Sequence, residues 1–541
     1  MNEKLIFLLI LPIFLFASQA DIIKLATKKE LFNTNEWKAL VHYNGDFKVR
    51  DNKFLLSSPH TLKNELIATL KAFYLPSNYY KNINEHPQCK FPARYLFLTH
   101  ELNVSKQEFP NIQCPDLKIY EQKAPADTIS LVFASENVKS PISMMGHTFL
   151  KFSGVNIQGK EVHHAISFYT VLQSANPLTL LYQNTISGMK GLFALQPYKL
   201  VAQNYTQKEN RNLWEYQLKL NKYRKQLIYY HVWELKGIDM KYYFTSYNCS
   251  TVIYNMLSLA NPKVFNDYKI WITPLSSVKI LYKYHLVQQA KLFPSKTWLS
   301  KMLEDTNQDK ETLKEKTIDI SNYKSPSKIP DERQFTLSYF YENKHKYMKL
   351  SFLPASHLLN DYNREYFGES ELKIAYFSFI LNKEKIDLNE FTLYGMKLYL
   401  PYSKVSHDLS YQFELTIKKE FTRNENRLNT LKIDGGIGID FLPFYDLNIF
   451  ALLNGGMGYN IEDKGHILLN PQFGLTIYEV FHMKSLLYIE PYFINKNFSY
   501  FRYKLEHNIF LKKNLTLYFN FEKIEKKRNL LNYECGIKYL F

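Results

Sequence analysis

The stretch Leu530-Leu531-Asn532-Tyr533-Glu534-Cys535-Gly536-Ile537-Lys538-Tyr539-Leu540-Phe541 decides how the second half of the chain is read. Successive side chains of an extended strand point to opposite sides. Leu531, Tyr533, Cys535, Ile537, Tyr539 and Phe541 therefore share one face, and Asn532, Glu534, Gly536 and Lys538 the other. The same alternation sets Leu409, Tyr411, Phe413, Leu415 and Ile417 against Ser410, Gln412, Glu414, Thr416 and Lys418. It returns with Phe501, Tyr503 and Leu505 against Arg502, Lys504 and Glu506, and with Leu515, Leu517, Phe519 and Phe521 against Thr516, Tyr518, Asn520 and Glu522. From residue 334 onward there are about ten to twelve such segments, each about ten residues long and separated by polar turns, as in a transmembrane barrel with an apolar outside and a polar lumen. A soluble sandwich also alternates; the expected signal peptide and the strand length favour the membrane barrel, and abundant tyrosine is consistent with aromatic girdles. An even number of strands leaves both barrel ends on the periplasmic side, so residues 334–541 are expected in the outer membrane and the preceding domains in the periplasm. Cys535, on the lipid-facing side, reads as a small apolar filler.

Upstream, residues 301–333 are rich in Lys, Glu, Asp and Ser, contain Pro326 and Pro330, and read as a linker. Residues 126–300 mix strands, expected over 128–134, 148–152, 162–169, 213–220 and 242–247, with helices over 222–235 and 250–259. Residues 21–125 read as a helical module: Trp37, Leu40 and Val41 recur at helical spacing, and Ser58-Pro59-His60-Thr61 caps a run whose Leu62, Leu66, Leu70 and Phe73 form one stripe. Lys4, the apolar run Leu5 to Phe16 and Ser18-Gln19-Ala20 make residues 1–20 an expected signal peptide, cleaved after Ala20. No run reaches the roughly 18 apolar residues of a spanning helix. A chain of 541 residues is expected to hold two or three domains.

The formal net charge is +17, but the lysines are scattered, and export argues against nucleic acid as a partner. In an oxidising compartment Cys89 and Cys114, set in Pro87-Gln88-Cys89 and Gln113-Cys114-Pro115, are expected to pair, closing a loop of about 25 residues. Cys249 is left at a strand-to-helix junction in Tyr247-Asn248-Cys249-Ser250, with Asn248 a good N-cap. Unpaired amides and the positive helix end favour the thiolate, making Cys249 a candidate nucleophile. A nucleophilic thiol needs a base, and His147, His163 and His164 are the candidates. Glu209, Arg211, Glu215 and Glu234 are candidates for shaping the site, but a solvated or ion-paired surface role is the favoured reading of each. No His/Cys pair sits at ligand spacing within one element, so neither a metal nor another cofactor is expected.

Ser143-Met144-Met145-Gly146-His147-Thr148-Phe149-Leu150, Glu209-Asn210-Arg211-Asn212-Leu213-Trp214-Glu215-Tyr216, Trp233-Glu234-Leu235, Tyr242-Tyr243-Phe244 and Asn248-Cys249-Ser250 resemble, in this order, the Lnb N-terminal periplasmic domain family. The resemblance covers about residues 125 to 290. The segment around Cys89-Lys90-Phe91-Pro92-Ala93-Arg94-Tyr95 resembles a helical module that often precedes this domain. The aromatic-ended terminal strand resembles the signal of outer-membrane barrels. The family is named for a lipoprotein N-acyltransferase, which carries membrane helices where this chain has a barrel. The resemblance implies a Cys-His acyltransferase or lipase, with membrane phospholipid as acyl donor and a lipoprotein N-terminus as acceptor. His147 and Cys249 match the family's Gly-His and Asn-Cys-Ser motifs, with Ser143, Gly146 and Asn248 in support. The order His before Cys also resembles permuted papain-like acyltransferases of the lecithin:retinol type, where a second His follows the first strand; His164 or His163 is the candidate. The expected architecture is α+β: a papain-like (permuted) domain behind a helical module, then an antiparallel barrel. A papain-like peptidase or amidase, and a non-enzymatic barrel with a periplasmic interaction domain, are the competing readings.

Overall fold

In the computed structural model, the described residues are 18–135, 145–171, 179, 182–268, 271–296, 299, 325–342, 345–363, 369–382, 385–402, 409–422, 427–444, 446–479, 482–495, 497–526 and 529–541. The expected signal peptide, most of the expected linker and Ser143 lie outside them. The chain divides into two units: Met1–Phe133, Thr148–Ala202 and Glu215–Lys291 form the first, and Ala134–His147, Gln203–Trp214 and Leu292–Phe541 the second.

In the first unit, helix Leu62–Phe73 starts where Thr61 accepts the Asn64 amide at 3.1 Å, and it buries Leu66, Leu70 and Phe73 as the stripe predicts. Cys89 and Cys114 are joined by a disulfide. Seven strands follow: β1 (Thr128–Ala134), β2 (His147–Val155), β3 (Glu161–Thr170), β4 (Met189–Pro197), β5 (Leu213–Leu218), β6 (Met240–Tyr242) and β7 (Val287–Phe293). They form one sheet in the order β6-β4-β3-β2-β1-β5-β7. Helices Lys222–Glu234 and Cys249–Ala260 lie against this sheet, with Phe152 meeting Tyr229, Phe168 meeting Tyr247, and Thr148 meeting Ser250. The expected strand over 242–247 does not form. Tyr243 and Tyr247 exchange two backbone hydrogen bonds of 2.9 and 3.2 Å, so the chain turns back on itself before the helix begins.

The second unit is dominated by an antiparallel barrel between Gln334 and Leu540. Among the described residues it has thirteen strands, of which Lys464–Leu469 and Gln472–Glu479 both pair with Leu447–Asn460 and with Met483–Ile494. They are two halves of one stave, interrupted at Asn470-Pro471 because proline has no N–H for the ladder, so the barrel has twelve staves. Each stave pairs with its neighbour in sequence, and the last closes on the first through Asn532↔Glu342 to Leu540↔Gln334. Ile437, Leu453, Met457, Phe473 and Ile537 are exposed on the outside, whereas Lys432, Asn454, Lys484, Asn508 and Glu534 are buried inside. This inversion of a soluble protein's polarity, on a closed sheet with no free edge, makes the barrel an outer-membrane one. No helix among the described residues is long and apolar enough to cross a membrane.

Leu453 stands 58% exposed midway along its stave. Leu453→Arg is expected to cost about 2–4 kcal/mol of folding stability in phospholipid bilayers, read from the urea midpoint of barrel folding. Leu453→Phe is expected to leave that midpoint nearly unchanged.

Candidate active site

Cys249 is the first residue of helix Cys249–Ala260, all of whose residues are buried. The helix starts here because Asn248 caps it: its side-chain oxygen accepts the amides of Ser250 (2.9 Å) and Thr251 (3.1 Å). Its side-chain nitrogen donates to the carbonyls of Phe244 (2.8 Å) and Ile272 (3.1 Å). Thr251 closes a capping box, its hydroxyl accepting from the Asn248 amide at 2.7 Å. The Asn248 carboxamide is thus saturated, and its task is to hold the first turn in place rather than to meet a substrate. The thiol is not in a disulfide, is only 5% exposed, and lies 3.7 Å from the Ser250 hydroxyl. It sits at the positive end of a twelve-residue helix.

His147 opens β2 directly after Gly146, whose φ of +84° is a backbone conformation that side chains disfavour. Within the same unit, the His147 ring stacks on Tyr205 at 6.2 Å, and the Arg211 guanidinium covers Tyr205 at 4.9 Å. Arg211 is 2% exposed; it donates to the carbonyls of Ser135 (2.6 Å) and Ala134 (3.0 Å) and pairs with Glu209 at 3.1 Å. The expectation that Arg211 is a surface charge is corrected, because its donors anchor the end of β1. Tyr205, which the motifs did not single out, is the residue that links it to His147. Glu215 is half-buried, held by Lys151 at 2.9 Å and by the Ser130 hydroxyl at 3.1 Å.

Within the first unit, the hydroxyls of Thr148 and Ser250 lie 3.4 Å apart, both residues fully buried. These are the residues that follow His147 and Cys249 in the chain. His164 does not join them. It pairs with Phe152, four residues along β2 from Thr148, about 13 Å at the rise of a strand. Burial, reinforced by His163, holds its imidazole below the usual range, and its Nδ1 has no hydrogen-bond partner among the described residues. His163 bonds the Ser153 hydroxyl at 2.8 Å, farther still along the same ladder. The candidate third role for either histidine is therefore corrected: sequence proximity to the first strand does not survive its register.

A second polar array lies behind the helix start; Ala93, Arg94 and Glu234 fall in motifs quoted above, but no local pattern marks His42 or His231. The Tyr247 hydroxyl meets His42 Nδ1 at 2.5 Å, His42 Nε2 meets His231 Nε2 at 2.9 Å, and His231 Nδ1 meets Glu234 Oε2 at 2.8 Å. The other Glu234 oxygen accepts the amides of Ala93 (2.8 Å) and Arg94 (2.9 Å). Arg94 pairs with Glu65 at 3.0 Å, bonds the Phe54 carbonyl at 2.9 Å and lies over the Phe54 and Phe91 rings. All these charged groups are buried, Glu234 included, which corrects its reading as a surface group. Burial, then the neighbouring His231 and Arg94, push His42 well below the histidine range; burial and Arg94 push His231 down to about 3. With both imidazoles neutral, each contact has one donor and one acceptor, so the proton order along Tyr247, His42, His231 and Glu234 runs one way throughout. The chain of bonds ends on Tyr247, two residues before Cys249, and ties the turn that bears Cys249 to the helical module. Burial also pushes the Glu234 carboxyl up to about 8, against the pull of Arg94 and the two amides.

These features define a class: an outer-membrane barrel protein with a soluble periplasmic domain. Residues 116–284 match the Lnb N-terminal periplasmic domain family. Residues 29–101 and 324–539 match two domains of unknown function, DUF7843 and DUF7840. Among solved structures, the KdgM porin in complex with disordered oligogalacturonate is 10% identical, covering 38% of this chain and 99% of that one, with a TM-score of 0.25. The NanC porin is 6% identical, covering 38% of this chain and 100% of that one, with a TM-score of 0.26. An outer-membrane channel from Pseudomonas putida F1 is 12% identical, covering 41% of this chain and 100% of that one, with a TM-score of 0.25. No match was found among curated protein sequences.

The buried array generates two expectations. Arg94→Ala leaves Glu65 unpaired in the core and is expected to cost about 3–5 kcal/mol. Tryptophan fluorescence reads this in the full-length protein, because all five tryptophans (37, 214, 233, 271 and 298) precede the barrel. The pH dependence has two limbs. His231 titrates lower in the folded than in the unfolded state, so its stabilising contribution is complete above 6.5 and is lost as pH falls toward 3. Glu234 titrates higher, so its contribution is complete below 4.5 and is lost as pH rises through 8. The urea midpoint is expected to peak between these limbs, and Glu234→Gln is expected to remove the alkaline one.

Proposed function

We propose that this protein is a periplasmic thiol acyltransferase or lipase, anchored in the outer membrane, that takes acyl chains from membrane phospholipids. One observation carries the reading: a thiol outside any disulfide stands at the first position of a capped, buried helix, whose next residue touches the strand that His147 opens. Matching of residues 116–284 to the Lnb domain supports it. The strand bearing His147 precedes the helix bearing Cys249, the order of a permuted papain-like fold.

His147 takes the thiol proton and the Cys249 sulfur adds to the ester carbonyl carbon of a phospholipid. The Asn248 cap takes the amides of Ser250 and Thr251, and the Cys249 amide is assigned to the oxyanion. The bond to the glycerol oxygen breaks, His147 returns the proton to that oxygen, and the lysophospholipid leaves a thioester on Cys249. An amine, such as a lipoprotein N-terminus, or water then attacks the thioester carbonyl. The carbon–sulfur bond breaks and the thiol is regenerated. His164 has no part in this scheme.

Intact mass spectrometry of the full-length protein from membranes, with and without neutral hydroxylamine, tests the reading. A fatty acyl adduct that hydroxylamine removes and Cys249→Ala abolishes is expected, and His147→Ala is expected to slow acyl transfer by about 10²–10⁴. Hydrolysis of peptide or peptidoglycan amides without any such adduct would move the protein to the amidase class. Retention of function by Cys249→Ala would leave an interaction domain.

A further inference from the structure

The barrel lumen is filled from both ends by the chain itself. Between strands His345–Leu353 and Glu369–Leu381, residues 354–363 have no regular secondary structure, yet Ala355, Ser356, His357, Leu359, Asn360, Asp361 and Asn363 are each at most 9% exposed. Connections normally run over a surface because their backbone groups need water. Here the barrel wall supplies the partners. Lys484 donates to the carbonyls of Leu359 (2.6 Å) and Asp361 (2.9 Å), and Lys538 bonds Asn360 and Asp361. Gln334 donates to both Asp361 oxygens, at 3.0 and 2.9 Å; Glu506 and Asn508 hold Asn360; the Tyr478 hydroxyl accepts the Asn363 amide at 3.1 Å. Leu359 packs in a cluster with Tyr399, Phe450, Leu452 and Leu486. These partners sit on seven different staves, so the segment touches most of the wall around it. Gln334 and Lys538 place it at the end of the barrel where the first stave starts and the last stave finishes.

Toward the other end, side chains meet across the lumen. Arg502 on strand Asn497–Lys512 pairs with Glu420 on strand Ser410–Phe421 at 2.9 Å, and these staves stand five apart in a ring of twelve. Arg427 and Glu342 form a second pair across the same number of staves. Phe421, Tyr492, Tyr500 and Ile524 pack into one buried cluster beside them. Arg502 also reaches Glu490 at 3.5 Å and Glu522 at 3.3 Å, so the crossing is a network rather than one contact.

We propose that the barrel is a sealed anchor and carries no solute: residues 354–363 are a built-in plug at one end, and the Arg502–Glu420 network is a second seal. The inference is independent of the thiol chemistry, because every group it uses lies in the barrel. Full-length protein, shown to be folded by its heat-modifiable migration, is inserted in planar phospholipid bilayers in potassium chloride. The native chain is expected to give no steps above the bare bilayer, and stable porin-like steps would overturn the proposal. A variant with residues 355–362 replaced by a Gly/Ser linker and carrying Arg502→Ser and Glu420→Ser is expected to conduct. Silence of that variant, when folded, would overturn the assignment of the seal to these two layers. Should the variant fail to fold, hydrogen exchange of the native protein in nanodiscs decides. Amides 355–363 protected to within about tenfold of the strands support the plug, and exchange at the rate of an open loop overturns it.

Discussion

A backbone N–H or C=O without a partner costs more in a bilayer than any single side-chain contact gains, and the membrane half of this chain is built around that constraint. The ladder from Asn532↔Glu342 to Leu540↔Gln334 is what meets it. Until the last stave finds the first, two edges of an apolar sheet lie open, and neither the exterior nor the lumen exists as such. Closure then turns one face of every stave to lipid and leaves the other to satisfy its charges internally. Lys373 therefore lies 3.0 Å from Glu390, and Lys349 3.1 Å from Glu534. The break at Asn470-Pro471 shows how tightly the rule holds: the stave is interrupted, and the Asn470 amide still donates to the Asn454 carbonyl at 2.9 Å.

The same requirement, in a different solvent, shapes the first unit. Burying Glu65, Arg94, Glu234, His42 and His231 together is tolerable only because each ends on a partner. The consequence for chemistry is positional. The turn that begins helix Cys249–Ala260 is pinned by the Asn248 cap from one side and by the Tyr247–His42 bond from the other. A thiol on so fixed a turn keeps its orientation to the helix end.

Local signals were legible in proportion to how local their physics is. Asn248 reads as a cap because its capping bonds reach only two and three residues ahead, and the disulfide spans 25 residues between two recognisable settings. β4 and β7 escaped reading because Met189–Pro197 is broken by Gly191 and ended by Pro197, and Val287–Phe293 carries its polar residues without a clean alternation. His164 was misplaced because a one-dimensional order cannot show a register. Arg211 and Glu234 read as surface groups in the sequence because a charge there carries no sign of the acceptors that will surround it.

By itself, the sequence determined the barrel, its inside and outside, the capped helix and the candidate thiol, because period-two alternation and first-turn capping are decided by neighbours a few residues away. Only the tertiary structure decided the seal, the buried array and the exclusion of His164. Lys484 reaches Leu359 across 125 positions, and Glu234 reaches Ala93 across 141. Over such separations it is chain closure and packing, not local preference, that choose the partner.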